Sequence, residues 1–330
     1  MIALSVIIPT QNRSALLAKT LSSIARQGFP AGQFEVIVID NGSTDDTKAV
    51  CEGLGGTLPH FRYVYDPRPG LHVGRHRGLR EAEGEVLVYA DDDINPYDTW
   101  LQALADSFSD PAVGMAGGND LPEFEAAPPP WFDQLWIEVP EGKYITQFSL
   151  IDFGNQPREI SPYYIFGCNF AIRKQLLLEV GGFHPDGVPK KLLRLRGDGE
   201  SYVAASVLAK KCKVVFNPLA SVYHWVPASR MTLQYIYDRA YAQGVSDSFT
   251  RIRAEHLTAD QQPRPPAGRL VKTLKNKLKD TLKGTGGAAA AGEVQDAIAR
   301  GYAAGFRFHQ QEVAQDPELL SWVLKPNYLD

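Results

Sequence analysis

The chain has 330 residues, 44% of them hydrophobic and 22% charged, with a net charge of −4. That is the make-up of one large or two closely joined soluble globular domains, and its acidic balance excludes the basic footprint of a nucleic-acid binder. Cys51, Cys168 and Cys212 are scattered and form no Cys-x-x-Cys pair, so they read as reduced core residues of a cytoplasmic protein rather than a disulfide or zinc framework.

The first apolar run, up to Pro9, carries no basic leader and is too short to span a bilayer; it reads as a strand. Thr10-Gln11-Asn12-Arg13 then leads into a helix with Leu17, Leu21 and Ile24 on one face. Residues 34–40 form a second strand that stops on Asp40, and Asn41-Gly42 turns the chain. Ser43, with Asp46 three residues later, resembles a capping box for a helix through Val50, with Asp in place of the usual Glu. A shorter strand over 61–65, a breaker at Pro67-Arg68-Pro69-Gly70 and a helix over 73–81 follow. Next, Val86-Leu87-Val88-Tyr89-Ala90 runs without warning into Asp91-Asp92-Asp93. Strands alternating with helices of this length predict a parallel, doubly wound α/β sheet, whose strands are buried on both faces and need no polar alternation.

The three carboxylates fall at the carboxyl end of their strand, the edge where open α/β sheets bind ligands. Adjacent negative charges repel unless they share something positive. Mg²⁺ or Mn²⁺ fits, since such ions take oxygen ligands and are commonly held by one or two carboxylates plus a substrate's phosphates. The plainer reading is an acidic turn before a helix. Right-handed crossovers put Asp40 on the same edge. It can accept hydrogen bonds from the N–H groups of a base or the hydroxyls of a ribose, or simply open the Asn41-Gly42 turn.

Beyond a strand-like stretch at 113–118, residues 121–130 read as a Pro-stiffened loop, followed by Trp131, Phe132 and Trp136, which either stack on a sugar or fill core. Leu176, Leu177 and Val180 mark a helix ended by Gly181-Gly182. Residues 196–202 are polar, Gly-rich and acidic, and precede an apolar helix over 203–209; they are a cap or the seat of a reacting carboxylate. His224 follows a short strand over 221–223, with Arg230 and Arg239 further on as phosphate contacts. Pro263 to Pro266 punctuate the chain, and leucines interleave with Lys and Arg over 269–283 in a basic amphipathic helix. That helix either lies on an anionic membrane surface or docks on the rest of the chain. Gly284 to Gly292 reads as a flexible link, and helices over 298–313 and 319–324 close the sequence.

Four segments taken together resemble the successive signatures of the family 2 inverting glycosyltransferases with the GT-A fold. They are residues 6–13, residues 38–45, Gly70-Leu71 through Arg75 to Leu79, and Ala90-Asp91-Asp92-Asp93. The resemblance continues at residues 167–174, Gly181-Gly182-Phe183 and Val222-Tyr223-His224, and covers roughly residues 1 to 250. It implies transfer of a sugar from a nucleotide-sugar to an acceptor nucleophile with inversion. Under it, Asp40 corresponds to the base contact, Asp91 to the first Asp of the DxD motif near ribose and metal, and Asp93 to the second, metal-binding Asp. Asp92 is the middle position that supports its neighbours. Pro9, Thr10 and Arg13 belong to the loop lining the nucleotide pocket, and Arg75 to the family's Ala-Arg-Asn triplet, here Gly74-Arg75-His76. Gly167 and Asn169 match acceptor-side motif residues, and His224 a metal-binding histidine. The catalytic base of the family sits in Gly-Glu-Asp; counting back from residues 213–218 places it at Glu200, with Asp198 in reserve.

The sequence thus predicts a GT-A-type, mostly parallel α/β sheet. A nucleotide-sugar half spans 1–118, an acceptor half 119–250 and a helical C-terminal extension 251–330. The expected reaction is metal-dependent transfer, with Mn²⁺ or Mg²⁺, from a UDP-, GDP- or dTDP-sugar to a glycan or lipid-linked acceptor. A nucleotidyltransferase and a non-catalytic sugar-nucleotide-binding scaffold are the alternatives. For 269–283, docking on the rest of the chain is the commoner outcome for such a helix, and peripheral contact with the inner face of a membrane is the alternative.

Overall fold

A computed structural model describes residues 2–258 and 288–329. The strands β1 (Leu4–Thr10) and β2 (Phe34–Asp40) are buried along their whole length, as continuous apolar runs require. Between and after them come α1 (Ser14–Ile24), α2 (Thr47–Leu54), β3 (Arg62–Tyr65), α3 (Leu71–Glu81) and β4 (Val86–Ala90). The chain continues through β5 (Ile94–Pro96), α4 (Trp100–Ser107), β6 (Val113–Gly117) and β7 (Asp120–Phe124). Short strands follow: β8 (Ile137–Val139), β9 (Gly142–Ile145), β10 (Leu150–Asp152) and β11 (Arg158–Glu159). Then come β12 (Asn169–Arg173), α5 (Lys174–Glu179), α6 (Glu200–Ala209), β13 (Lys213–Phe216) and β14 (Val222–Val226). The last helices are α7 (Leu233–His256), α8 (Ala288–Gln315) and α9 (Pro317–Val323).

The larger sheet has the order β11-β13-β6-β12-β4-β1-β2-β3. β1 runs parallel to β2 and β4, β2 to β3, and β6 to β13, as the strand–helix alternation predicts. β12 is antiparallel to both β4 and β6. It is reached from β11, at the edge of the same sheet, without a crossover α-helix, so nothing constrains it to run parallel. Successive residues of the central strands feed two cores. Val6, Ile8, Val36 and Val38 pack with Leu17, Leu21, Trp100 and Leu104 on one face; Ile7, Ile37, Ile39 and Leu87 pack with Leu79, Leu177 and Val203 on the other. Each such buried side chain contributes about 1.5–3 kcal/mol. α3 lies close against β1, where a Cβ on Gly78 would stand 2.2 Å from Ile7 Cγ2.

The smaller sheet, β5-β14-β7-β10-β9-β8, differs from expectation. Part of the stretch read as a loop over 121–130 is strand β7, parallel to β14 and antiparallel to β10. β14 extends to Val226, so His224 lies inside a strand rather than after one. Phe132 is buried, and Trp131 and Trp136 pack against the same core with α7 and the start of α8; they serve as core. The capping box at Ser43 does not form. α2 begins at Thr47, whose N–H is taken by Asp45 at 3.1 Å, while Ser43 Oγ accepts from the Asn12 N–H at 2.9 Å. The Gly/Ala link is helical from Ala288, in keeping with alanine's helix preference; 284–287 and the basic stretch 269–283 lie outside the described residues. α7 and α8 run parallel and close, with Gly301 against the Tyr237 carbonyl and Gly305 against that of Tyr241.

Candidate active site

The parallel register sets the first part of the site. Thr10 and Asp40 end neighbouring strands directly opposite each other, with Pro9 one step behind opposite Ile39. β4 lies on the other side of β1 and delivers Asp91, Asp92 and Asp93 to the same edge. Thr10 Oγ1 donates to Asp92 Oδ2 at 2.6 Å. Arg13, just before α1, donates from one guanidinium nitrogen to Asp92 Oδ1 at 2.5 Å and from the other to Asp93 Oδ2. Thr20 Oγ1 reaches the carbonyls of Asp92 at 3.0 Å and Ile94 at 2.8 Å, so α1 anchors the turn that carries the carboxylates.

His224 arrives from the smaller sheet, because β14 pairs antiparallel with β5 and sets it opposite Ile94. Asp91, Asp93 and His224 each offer an atom within 4.8 Å of the others. His224 Nε2 and Asp93 Oδ1 lie 3.3 Å apart, yet that oxygen is buried and receives no hydrogen bond among the described residues. A buried carboxylate oxygen without a donor, facing an imidazole nitrogen and a second carboxylate, fits a divalent cation, and the added nitrogen suits Mn²⁺ better than Mg²⁺. Arg230 stands 3.7 Å from Asp93 Oδ2, close enough to share the charge.

The electrostatics follow from this crowding. Burial, then the neighbouring Asp93, holds Asp91 above the usual carboxylate range. Burial pushes Asp92 up to about 7 although Arg13 and Thr10 pull the other way. For Asp93 the burial effect is overcome by His224, Arg13 and Arg230, which hold it low. His224 is itself raised, since Asp93, Asp91 and Asp120 outweigh its burial. Asp120, absent from the sequence reading, opens β7; burial pushes it up to about 7, and its Oδ1 has no partner among the described residues. No local motif marks it, because its neighbours come from other strands.

Asp40 is buried, and its two oxygens are spoken for locally. Oδ1 accepts from the Ser43 N–H and Oδ2 from the Tyr63 hydroxyl, each at 2.7 Å. It therefore closes its own turn, and Tyr63, which the sequence reading passed over, is the side chain it holds.

Arg75 is almost wholly buried on α3 and lies between two acids. Its guanidinium donates to Glu200 Oε2 at 2.9 Å and also feels the charge of Asp91. Glu200 opens α6 and is 28% exposed; its Oε1 accepts from the Gly167 N–H at 3.3 Å. Asp198 is enclosed instead, with Oδ1 2.5 Å from His184 Nδ1 and Oδ2 accepting from Thr250 Oγ1 at 2.7 Å. Of these two acids, only Glu200 faces the edge shared with Arg75. Asn169 accepts from Trp100 Nε1 and donates to the Ala220 carbonyl, each at 2.9 Å, and ties β12 to α4 and to the turn before β14. Arg239, on α7, has a buried Nε without a partner among the described residues and acts on Asp186, beside the Glu200 loop.

Comparison with known proteins places this geometry. The profile described as glycosyl transferase family 2 matches residues 5–181. Glycosyltransferase AglE of Haloferax volcanii is 31% identical over 116 residues, 35% of this chain and 38% of that protein. Validoxylamine A glucosyltransferase of Streptomyces hygroscopicus subsp. jinggangensis is 30% identical over 208 residues, 56% and 47% of the two chains. The chain thus spans less than half the length of these two relatives. Among solved structures, the mannosyltransferase PcManGT from Pyrobaculum calidifontis, in complex with GDP-Man and Mn²⁺, matches with a TM-score of 0.58 at 23% identity. That match covers 99% of this chain and 84% of that one. TarS 1-349 of S. aureus, in complex with UDP-GlcNAc, matches with a TM-score of 0.53 at 17% identity, over 95% and 92%. At such identities the likeness is one of fold.

Proposed function

The chain belongs to glycosyl transferase family 2, and within it we propose a metal-dependent inverting enzyme that moves a sugar from a nucleotide-diphosphate sugar to an acceptor hydroxyl. The observation that carries this reading is a buried acid–imidazole cluster on one sheet edge with a separate carboxylate, Glu200, held across Arg75. Asp91, Asp93 and His224 would hold the cation, which would balance the charge that develops on the departing diphosphate. Arg13 and Arg230 add fixed positive charge beside the same carboxylates, and Arg239 is a further phosphate contact. Asp40, with Pro9 and Thr10, would face the nucleoside through the remaining lone pairs of the oxygens that hold Ser43 and Tyr63.

Glu200 is the general base of this proposal. Its carboxylate takes the proton from the acceptor hydroxyl as that oxygen forms a bond to the anomeric carbon; the bond from that carbon to the diphosphate breaks on the opposite face. Arg75 and the Gly167 N–H orient the carboxylate, leaving part of it open to an acceptor. PcManGT with GDP-Man and TarS with UDP-GlcNAc support a nucleotide-sugar donor without deciding its base. A glycan or lipid-linked acceptor remains the expected class. No helix among the described residues is long and apolar enough to cross a membrane, and peripheral contact through 269–283 stays a proposal.

The test is Glu200→Gln, which keeps size and hydrogen bonding but cannot take a proton. Release of nucleoside diphosphate from UDP-glucose, UDP-N-acetylglucosamine and GDP-mannose, each with Mn²⁺, identifies the donor. Turnover of that donor should then fall by about 10²–10⁴-fold while its binding is retained. Full turnover by Glu200→Gln removes the assignment.

A further inference from the structure

The loop that presents Glu200 is held by groups outside the family-matched residues 5–181. Two residues before Glu200, Asp198 is pinned from two directions, by His184 and by Thr250 of α7. Asp198 is held below the usual carboxylate range and so accepts only, which leaves Nδ1 of His184 as the donor of that bond. The flanking glycines are fixed as well. Gly197 donates its N–H to the Pro185 carbonyl at 2.8 Å, and its own carbonyl accepts from Ser246 Oγ of α7 at 2.7 Å. Gly199 sits at φ +51°, where a Cβ would also stand 2.8 Å from Asp186 Oδ2.

The His184 ring is itself clamped. It stacks on Tyr202, in the first turn of α6, with centroids 3.6 Å apart, and meets the edges of Phe249 and Tyr328 at 5.3 Å. Tyr328 leans on Trp322 of α9, whose Nε1 donates to the Leu195 carbonyl at 3.0 Å. α6 starts from Gly199 without a side-chain cap, so the bonds to Asp198 are not capping bonds. The loop before it holds a buried carboxylate with two aimed donors, and such bonds fix direction where apolar packing would fix only volume.

We propose that His184 and Thr250 are positioning residues: through Asp198 they hold the Glu200 carboxylate in line with the acceptor, so that the C-terminal helices set the geometry of proton removal. The proposal rests on Glu200 being the base.

The experiment uses the full chain and compares Thr250→Val, which keeps the shape and loses the hydroxyl, with Thr250→Ser, which restores it. UDP-glucose, UDP-N-acetylglucosamine and GDP-mannose with Mn²⁺ are the probes, and Glu200→Gln is run beside them. Thr250→Val should lower kcat between about 10- and 100-fold, the scale of a small misplacement of a reacting group. Its KM for the donor and its Mn²⁺-dependent thermal shift should stay unchanged, and Thr250→Ser should recover the rate. Undiminished kcat in Thr250→Val beside an inactive Glu200→Gln overturns the positioning role alone. Equal losses in the valine and serine variants, or a parallel loss of donor binding, overturn it as well. Full turnover by Glu200→Gln, or turnover of no donor by the unmodified protein, takes down the base assignment and this proposal with it.

Discussion

Arg13, Arg230 and His224 converge on Asp93, so its substitution separates charge from shape. Asp93→Asn keeps the volume and one acceptor but removes the charge that a dication needs. The thermal shift produced by Mn²⁺ with UDP or GDP should disappear in that variant. It should persist in Asp92→Asn, since the Asp92 oxygens face Thr10 and Arg13 rather than the cluster. A Mn²⁺-dependent shift that survives Asp93→Asn would sink the cation site. The acidic triplet was legible because its members abut in sequence at the end of an apolar run. The family resemblance supplied its expected division of labour, but not the partners of Asp92, since Thr10 at the end of β1 and Arg13 before α1 lie about 80 residues away in sequence. Asp120 and Tyr63 left no local mark, because burial and strand pairing give them their place. For the proposed base, a gapless count singled out Glu200, and the structure adds that Asp198 is enclosed by His184 and Thr250 whereas Glu200 stays partly exposed.

At the scale of elements, the pairing of α7 with α8 depends on helix backbones that nearly touch. A Cβ on Gly305 would stand 1.9 Å from the Tyr241 carbonyl oxygen, whereas one on Gly292, also in α8, would meet nothing within 4 Å. Alanine is worth about 1 kcal/mol over glycine inside a helix, but overpacking a tight contact costs about 1–3 kcal/mol. Gly292→Ala should therefore raise the melting temperature and Gly305→Ala lower it, as measured by calorimetry; the same sign at both positions would contradict this packing. The alternating strands and helices up to β4 were plain in the sequence because two-sided burial leaves unbroken apolar runs. β7 was not, since Pro122 and Glu123 look like loop residues and only β14 alongside makes them a strand. The start of α8 was hidden for a related reason: a run of Gly and Ala carries no periodic face, and α7 supplies the partner.

For the molecule as a whole, acid should be more damaging than the carboxylates alone imply. His72, His76, His184 and His309 are buried and shifted down by that burial, His76 to about 3 and His309 to about 4. In the unfolded chain each takes a proton near pH 6.5 that the folded chain refuses, so stability falls as pH drops through and below 6.5. Each such histidine adds a slope of about 1.4 kcal/mol per pH unit while only the unfolded form is protonated. His224, raised by Asp93 and Asp91, works in the opposite sense, and so do Asp91, Asp92 and Asp120, whose burial lets the folded chain take up their protons before the unfolded chain does. In metal-free buffer, lowering the pH from 7 to 5 should cost His309→Gln less stability than it costs the unmodified protein, read as the difference between their melting temperatures at the two pH values; superimposable profiles would refute this.

The long reach from Tyr328 back to His184 also orders events during synthesis. About 130 residues separate Glu200 from Tyr328, which at 5–20 residues per second is roughly 6 to 26 s on the ribosome. By the time His224 has emerged, every residue of the acidic edge exists, while the loop bearing Glu200 still lacks α7 and the aromatic clamp. With Glu200 as the proposed base, an unfinished chain therefore holds the residues of the acidic edge before it holds the clamp proposed to aim that carboxylate.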